Sequence, residues 1–153
     1  MIAVLQRMEK SQVYADGEFS GAAEKGLFIL LGVTQGDDEQ DALLLAEKIS
    51  KLRIFSDEND KMNLSVKDID GEVLVVSNFT LNANYSHGNR PEFFNAAKPA
   101  EANALYEKFV QLMRERVRHV GTGVFGASMR ISADLCGPVT IVMDSQVLRK
   151  GKS

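Results

Sequence analysis

The apolar residues of this chain recur with two different periods, and those periods divide it into strands and helices. Residues 2–7 and 11–15 alternate between apolar and polar, the period of strands with one covered face, and predict paired strands. Asp16-Gly17 follows as a tight-turn dipeptide. Residues 27–33 are apolar throughout, as expected of a central strand covered on both faces, and Val73-Leu74-Val75-Val76 reads the same way. Helical spacing appears twice. Gly36-Asp37-Asp38 opens a first helix, with Asp37 as its cap, Gln40 in capping-box position, and Ala42, Leu45, Ala46, Ile49 and Leu52 as its apolar stripe. A second starts at Pro99, buries Ala102, Leu105, Tyr106, Phe109, Leu112 and Met113, and is ended by Gly121 or Gly123. Strands return at about 127–135 and 139–143. Strands outnumber helices, so the pattern predicts an α+β domain with two helices covering faces of the sheets.

Composition narrows this to one body. At 153 residues the chain can bury a core without disulfides or metal, and we assign residues 1–145 to a single domain and 146–153 to a basic C-terminal tail. Hydrophobic residues make up 44% and charged residues 25%, ordinary for a soluble globular protein. Cys136 is the only cysteine, so no internal disulfide forms and a reducing compartment is expected. No stretch approaches the roughly 20 apolar residues of a membrane span, and the start lacks the order of a secretory signal. The expectation is a cytoplasmic protein without a membrane partner. The glycosylation patterns at Asn63, Asn78 and Asn84 then carry no meaning.

Charge argues weakly against nucleic acid. The formal net charge is −3, and a basic stripe is the usual footprint of a DNA or RNA binder. Arg114, Arg116, Arg118 and His119 cluster where they complement a helix C-terminus, and Arg149, Lys150 and Lys152 make the tail basic. Asp57, Asn59, Lys61 and Asn63 alternate like calcium ligands. Lys61 in a ligand position, Met62 for the turn glycine and the missing closing glutamate exclude that site. His87 and His119 have no neighbouring ligands, so neither a metal nor a cofactor is expected.

Two strings stand out for chemistry. Ser77-Asn78-Phe79-Thr80-Leu81 follows the buried run, and Gly137-Pro138-Val139-Thr140 precedes the apolar Ile141-Val142-Met143. Hydroxyls, an amide and an aromatic ring at the mouth of a buried strand need partners, which is costly for folding alone. The two strings resemble the signature motifs of the D-aminoacyl-tRNA deacylase family, Ser-Gln-Phe-Thr-Leu and Asn- or Asp-Gly-Pro-Val-Thr. The resemblance extends through Met1 to Arg7, Gly26 to Val33, Arg53 to Asn63, Gly88-Asn89-Arg90-Pro91 and Thr122 to Gly126.

The resemblance implies a compact β-barrel-like body of mostly antiparallel strands flanked by two helices, assembled as a homodimer with a cross-subunit active site. It implies hydrolysis of the ester of D-aminoacyl-tRNA, and of glycyl-tRNA, with L-aminoacyl-tRNA rejected and no DNA partner. The ester is already activated, so water, an oxyanion hole and positioning suffice. No Gly-x-Ser-x-Gly elbow, nucleophile–histidine motif or zinc set is present. Thr80 resembles a nucleophile but has no base in the sequence. The family points instead to assistance by the terminal 2′-hydroxyl of the tRNA, with Ser77 and the backbone N–H groups of Phe79 and Thr80 holding the ester. Phe79 would help form the pocket for the terminal adenosine, since aromatic rings are the usual platform for splayed bases. Gly137-Pro138 would enter the partner's site as a cis pair and exclude L side chains, although only about 5% of X-Pro bonds are cis and sequence leaves that state open. Arg7 would brace this pair, and Met129 would line the pocket.

Three positions depart from the pattern. Asn78 stands for glutamine, Cys136 for asparagine or aspartate, and Ser128 for the aspartate before Met129. Cys136 would make activity sensitive to oxidation if its thiol is exposed. The shortened Asn78 keeps open an alternative, a non-catalytic aminoacyl-tRNA-binding module on the same fold. A related editing enzyme of altered stereochemistry would lack Gly137-Pro138, which this chain retains.

Overall fold

Strand β1 (Ile2–Ala15) runs through the centre of the molecule and pairs with three others, all antiparallel. On one side its first half meets β3 (Gly26–Gly32) and its second half β2 (Glu18–Ala23). On the other it pairs along nearly its whole length with β8 (Met129–Asp144). Beyond β3 lie β6 (Glu72–Ser77) and β7 (Val120–Thr122), both added in parallel. A separate hairpin joins β4 (Phe55–Ser56) to β5 (Met62–Leu64). The computed structural model describes residues 1–151; Lys152, the last cation of the expected tail, lies outside them.

The two apolar clusters explain the sequence periods. In β3, Leu27, Ile29 and Leu31 enter the larger cluster while Phe28 enters the smaller one; in β6, Val73 and Val75 separate from Leu74 and Val76 in the same way. Alternate side chains therefore go to opposite covered faces, so both strands are apolar throughout. Helices α1 (Glu39–Lys51) and α2 (Pro99–Arg114) close the larger cluster with Leu45, Ile49, Phe109 and Met113. Tyr106 bonds its hydroxyl to the Val75 carbonyl at 2.8 Å, which fixes α2 on β6. Burial pushes this phenol up to about 12, so it stays a neutral donor.

Residues 2–7 and 11–15 are one strand rather than two paired ones. The register slips between Gln6 and Met8 and again between Met8 and Lys10. A bulge shifts the phase by one residue, so Leu5 faces the larger cluster while Met8 and Val13 share the smaller one. That slip mimics a strand break in the sequence. Asp16 and Gly17 form the expected turn, both with positive φ, and lead into β2.

The barrel nearly closes where β2 approaches β7, and glycine sets that distance. A Cβ on Gly21 would stand 2.4 Å from the Thr122 carbonyl oxygen, and one on Gly121 would stand 2.4 Å from that of Ala22. Ser20 and His119 add side-chain bonds to the Thr122 and Ala22 carbonyls, each at 2.8 Å. Gly121 therefore serves this closure and does not end α2, which stops at Arg114 with Glu115 as its cap.

The first helix starts one residue later than expected. Asp38 is its cap, in a capping box with Asp41. Asp37 is committed elsewhere, to the Met1 ammonium at 2.8 Å and the Thr34 N–H at 2.7 Å. A third helix, α3 (Ser145–Lys150), occupies most of what the sequence predicted to be a tail. It is held by Asp41, buried to 1% exposure, which accepts from Ser145 Oγ at 2.7 Å and Arg149 Nε at 2.9 Å. None of the helices described is long and apolar enough to cross a membrane.

Two outcomes follow from these contacts. Gly121→Ala must push two backbones apart and is expected to lower stability by about 1–3 kcal/mol, read as a lower urea midpoint. For Asp41, burial alone would raise the carboxyl, but bonds from Arg149, the Asp38 N–H and Ser145 outweigh it and hold the group below its usual 3.8. A depressed carboxylate stabilises the fold fully above its unfolded value, and that stability drains as pH falls below it. Asp41→Asn is therefore expected to be less stable than the parent at pH 7, with the difference narrowing in urea titrations carried towards pH 3.

Candidate active site

Strand β6 ends at Ser77, and the chain turns at once into a single 3-10 turn, Phe79–Asn82. Asn78 caps it. Its Oδ1 accepts the Thr80 N–H at 3.2 Å and also takes a short bond from the Thr80 hydroxyl. The turn is pinned from below by Asn82, 6% exposed, whose Nδ2 donates to the Val33 carbonyl at 3.1 Å while its Oδ1 accepts from Thr34 Oγ1 at 2.8 Å. Gly32 lets the turn lie close, since a Cβ there would sit 3.0 Å from the Asn78 carbonyl oxygen and from Leu81 Cβ. Nothing in the sequence marked Asn82, because its partners are about 49 residues upstream.

This turn forms one wall of a cleft of about 780 Å³. Ser77, Asn78, Phe79 and Met129 line it together, as does Phe93, whose ring meets Phe79 edge to face at a centroid distance of 5.1 Å. Phe125 and the start of α2 also line it. Met129 lies over Gly123, where a Cβ would stand 2.4 Å from its sulfur. Such a volume falls within the range of about 300–1,000 Å³ typical of small-molecule pockets. Phe93 and Phe94 were not singled out from the sequence; adjacent aromatics in the loop before α2 are the one local mark they carry.

The remaining residues singled out from the sequence lie apart from the cleft lining. Arg7 sits in β1 and donates from Nη1 to the Ile54 carbonyl at 3.1 Å, while its buried Nε has no partner among the described residues. Opposite it, the stretch from Cys136 to Val139 bulges out of β8, between the pairs Gln6–Thr140 and Met8–Leu135. Gly137 and Pro138 are exposed there, joined by a cis peptide bond. The Cys136 thiol is half-buried and donates to Glu9 Oε1 at 3.1 Å. That bond, with burial second, pushes the thiol above its usual value, which disfavours the reactive thiolate.

Chemically, the cleft positions more than it activates. The Thr80 proton is directed at an amide oxygen, which is no base, so the hydroxyl is not primed for attack. The N–H that opens a helical turn has no partner within it, which leaves the Phe79 N–H suited to receive an oxyanion. The arrangement has room for a flat ring beside a carbonyl ester.

The family model described as D-Tyr-tRNA(Tyr) deacylase matches residues 4–144. A D-aminoacyl-tRNA deacylase of Persephonella marina is 51% identical over 148 residues, covering 97% of this chain and 100% of the relative. One from Thermus aquaticus is 51% identical over 145 residues, covering 95% of each. A solved structure described as a c-Myc DNA unwinding element binding protein superposes with a TM-score of 0.87 at 35% identity, covering 94% of this chain and 98% of its own. The chain belongs to the D-Tyr-tRNA(Tyr) deacylase family.

The cap makes a clear prediction. Asn78→Ala removes the acceptor of both Thr80 bonds and is expected to cost about 1 kcal/mol in urea unfolding, the usual loss for a helix cap. An unchanged midpoint would show that the turn is held by Asn82 alone.

Proposed function

We propose that this protein hydrolyses the ester of D-aminoacyl-tRNA and of glycyl-tRNA, releasing free amino acid and intact tRNA, and spares L-aminoacyl-tRNA. The observation that carries the reading is that Ser77, Asn78 and Phe79 line an aromatic cleft while the hydroxyl of the adjacent Thr80 is bonded to the Asn78 amide oxygen. Water attacks the ester carbonyl, the bond to the ribose 3′ oxygen breaks, and that oxygen takes up the proton. The terminal 2′-hydroxyl of the substrate assists the water. Ser77 and the Phe79 N–H hold the ester, and Phe79 carries the terminal adenine. The protein works where charged tRNA is, in the cytoplasm.

The functional unit is a homodimer with each site shared between two chains. Three features support this. Among the described residues the β8 strand is paired on one edge only, by β1, and it is 16 residues long with Leu135 46% and Val142 69% exposed. Such an edge invites another chain. The Gly137-Pro138 bulge stands outside the cleft of its own protomer, and Arg7 beneath it keeps an unpartnered buried Nε. Entering the partner's cleft, the carbonyls of this pair would collide with an L side chain while leaving room for D and for glycine.

The deciding experiment is turnover of D-Tyr-tRNA, L-Tyr-tRNA and glycyl-tRNA by the purified protein, with enzyme far below substrate. Rapid loss of the D and glycyl esters with the L ester spared is expected, and Thr80→Ala is expected to keep most of that activity. Binding without turnover would favour a module that holds aminoacyl-tRNA. Complete loss in a folded Thr80→Ala protein would make the threonine the nucleophile.

A further inference from the structure

Phe94 is the most exposed large hydrophobic residue described, at 82%, and it sits on the wall of the same cleft. Its loop is not loose. Glu92 forms a two-way backbone bridge with Asn84, at 2.8 and 3.0 Å. Asn95 accepts from the Gln35 N–H at 2.7 Å, and the Ala97 N–H donates to Val33 at 3.0 Å. Phe94 is thus held between fixed points while its neighbour Phe93 turns inward onto Phe79. A braced backbone leaves only the ring's own rotamer freedom to be ordered when a ligand arrives. Lys98, exposed on the same wall, is in no ion pair among the described residues.

We propose that Phe94 and Lys98 form a second nucleotide subsite, in which Phe94 stacks the penultimate base of the single-stranded tRNA end and Lys98 meets its phosphate. The inference rests on the deacylase reading of the cleft, with the terminal adenosine on Phe79. A tRNA ends in unpaired CCA, and unpaired bases are bound by stacking on aromatic rings beside a cation that follows the backbone. Phe79 takes one ring, and Phe94 is the next exposed ring on the cleft wall. The second stack would serve any tRNA, because every base has a stacking face.

The test needs no chemistry. A fluorescein-labelled single-stranded RNA ending in CCA is titrated with the protein, alongside the same RNA made abasic at the penultimate position. Phe94→Ala is expected to weaken binding of the CCA probe about tenfold, within the range for loss of one stack. The abasic probe should lose a similar amount with the parent protein, and the two changes together should cost no more than either alone. Phe94→Tyr should restore binding. Lys98→Ala should lower the slope of log affinity against log salt by about 0.7. Unchanged affinity in Phe94→Ala, or losses that add, would overturn the stacking role, and an unchanged salt slope would overturn the lysine contact. Failure of the parent protein to hydrolyse any D-aminoacyl ester would remove the deacylase reading and still leave the probe titration to decide Phe94.

Discussion

The pairing of β1 with β8 is the constraint on which the rest of the molecule depends. Two long strands with unequal residue counts cannot stay in register, and the excess has to leave the ladder somewhere. It leaves opposite Arg7, where Cys136 to Val139 bulge outward, and again at Glu9, where β1 carries the extra residue. The second slip turns Met8 and Val13 towards the same cluster and lets one strand serve both cores. The first sets Gly137-Pro138 in solvent, away from the cleft that the same chain builds. The cleft wall and the projecting loop are thus distinct parts of the chain.

The wall is built by close contacts. Gly32 brings the 3-10 turn against β3, Gly123 makes room for Met129, and Gly21 with Gly121 draws the ends of the sheet together. Asn82 and Asn78 then satisfy the polar groups that such a turn exposes near a core. On the proposed reading an activated ester demands little more than this, because a positioned water and an oxyanion donor suffice without a nucleophile primed by a base.

Where the pattern was local, it was legible. Both faces of β3 and β6 are covered, so their unbroken apolar runs marked them, and Pro99 marked the start of α2. What stayed hidden depended on distant partners. Asp37 resembles a cap as well as Asp38 does, until the Met1 ammonium claims it. Gly121 and Gly123 resemble helix stops but serve close approaches between strands and to Met129. The short α3 has too few residues to show a period and is fixed by Asp41 from a helix about 104 residues earlier. At the site, the motif pointed to Ser77 through Thr80, whereas Asn82, Phe93 and Phe94 join it only through folding.

In the proposed dimer each site takes its wall from one chain and its loop from another. The direct measurement is on a purified heterodimer with two different tags. One chain carries Ser77→Ala and Phe79→Ala with its loop intact; the other carries Gly137→Ala and Pro138→Ala with its cleft intact. As a homodimer, the loop variant is expected to hydrolyse L-Tyr-tRNA as well as D-Tyr-tRNA. In the heterodimer the one working cleft faces the intact loop of its partner, so the account predicts that D-Tyr-tRNA is hydrolysed and L-Tyr-tRNA is spared. Hydrolysis of L-Tyr-tRNA by the heterodimer, at the rate per working cleft seen in the loop-variant homodimer, would place loop and cleft in the same chain and contradict the account.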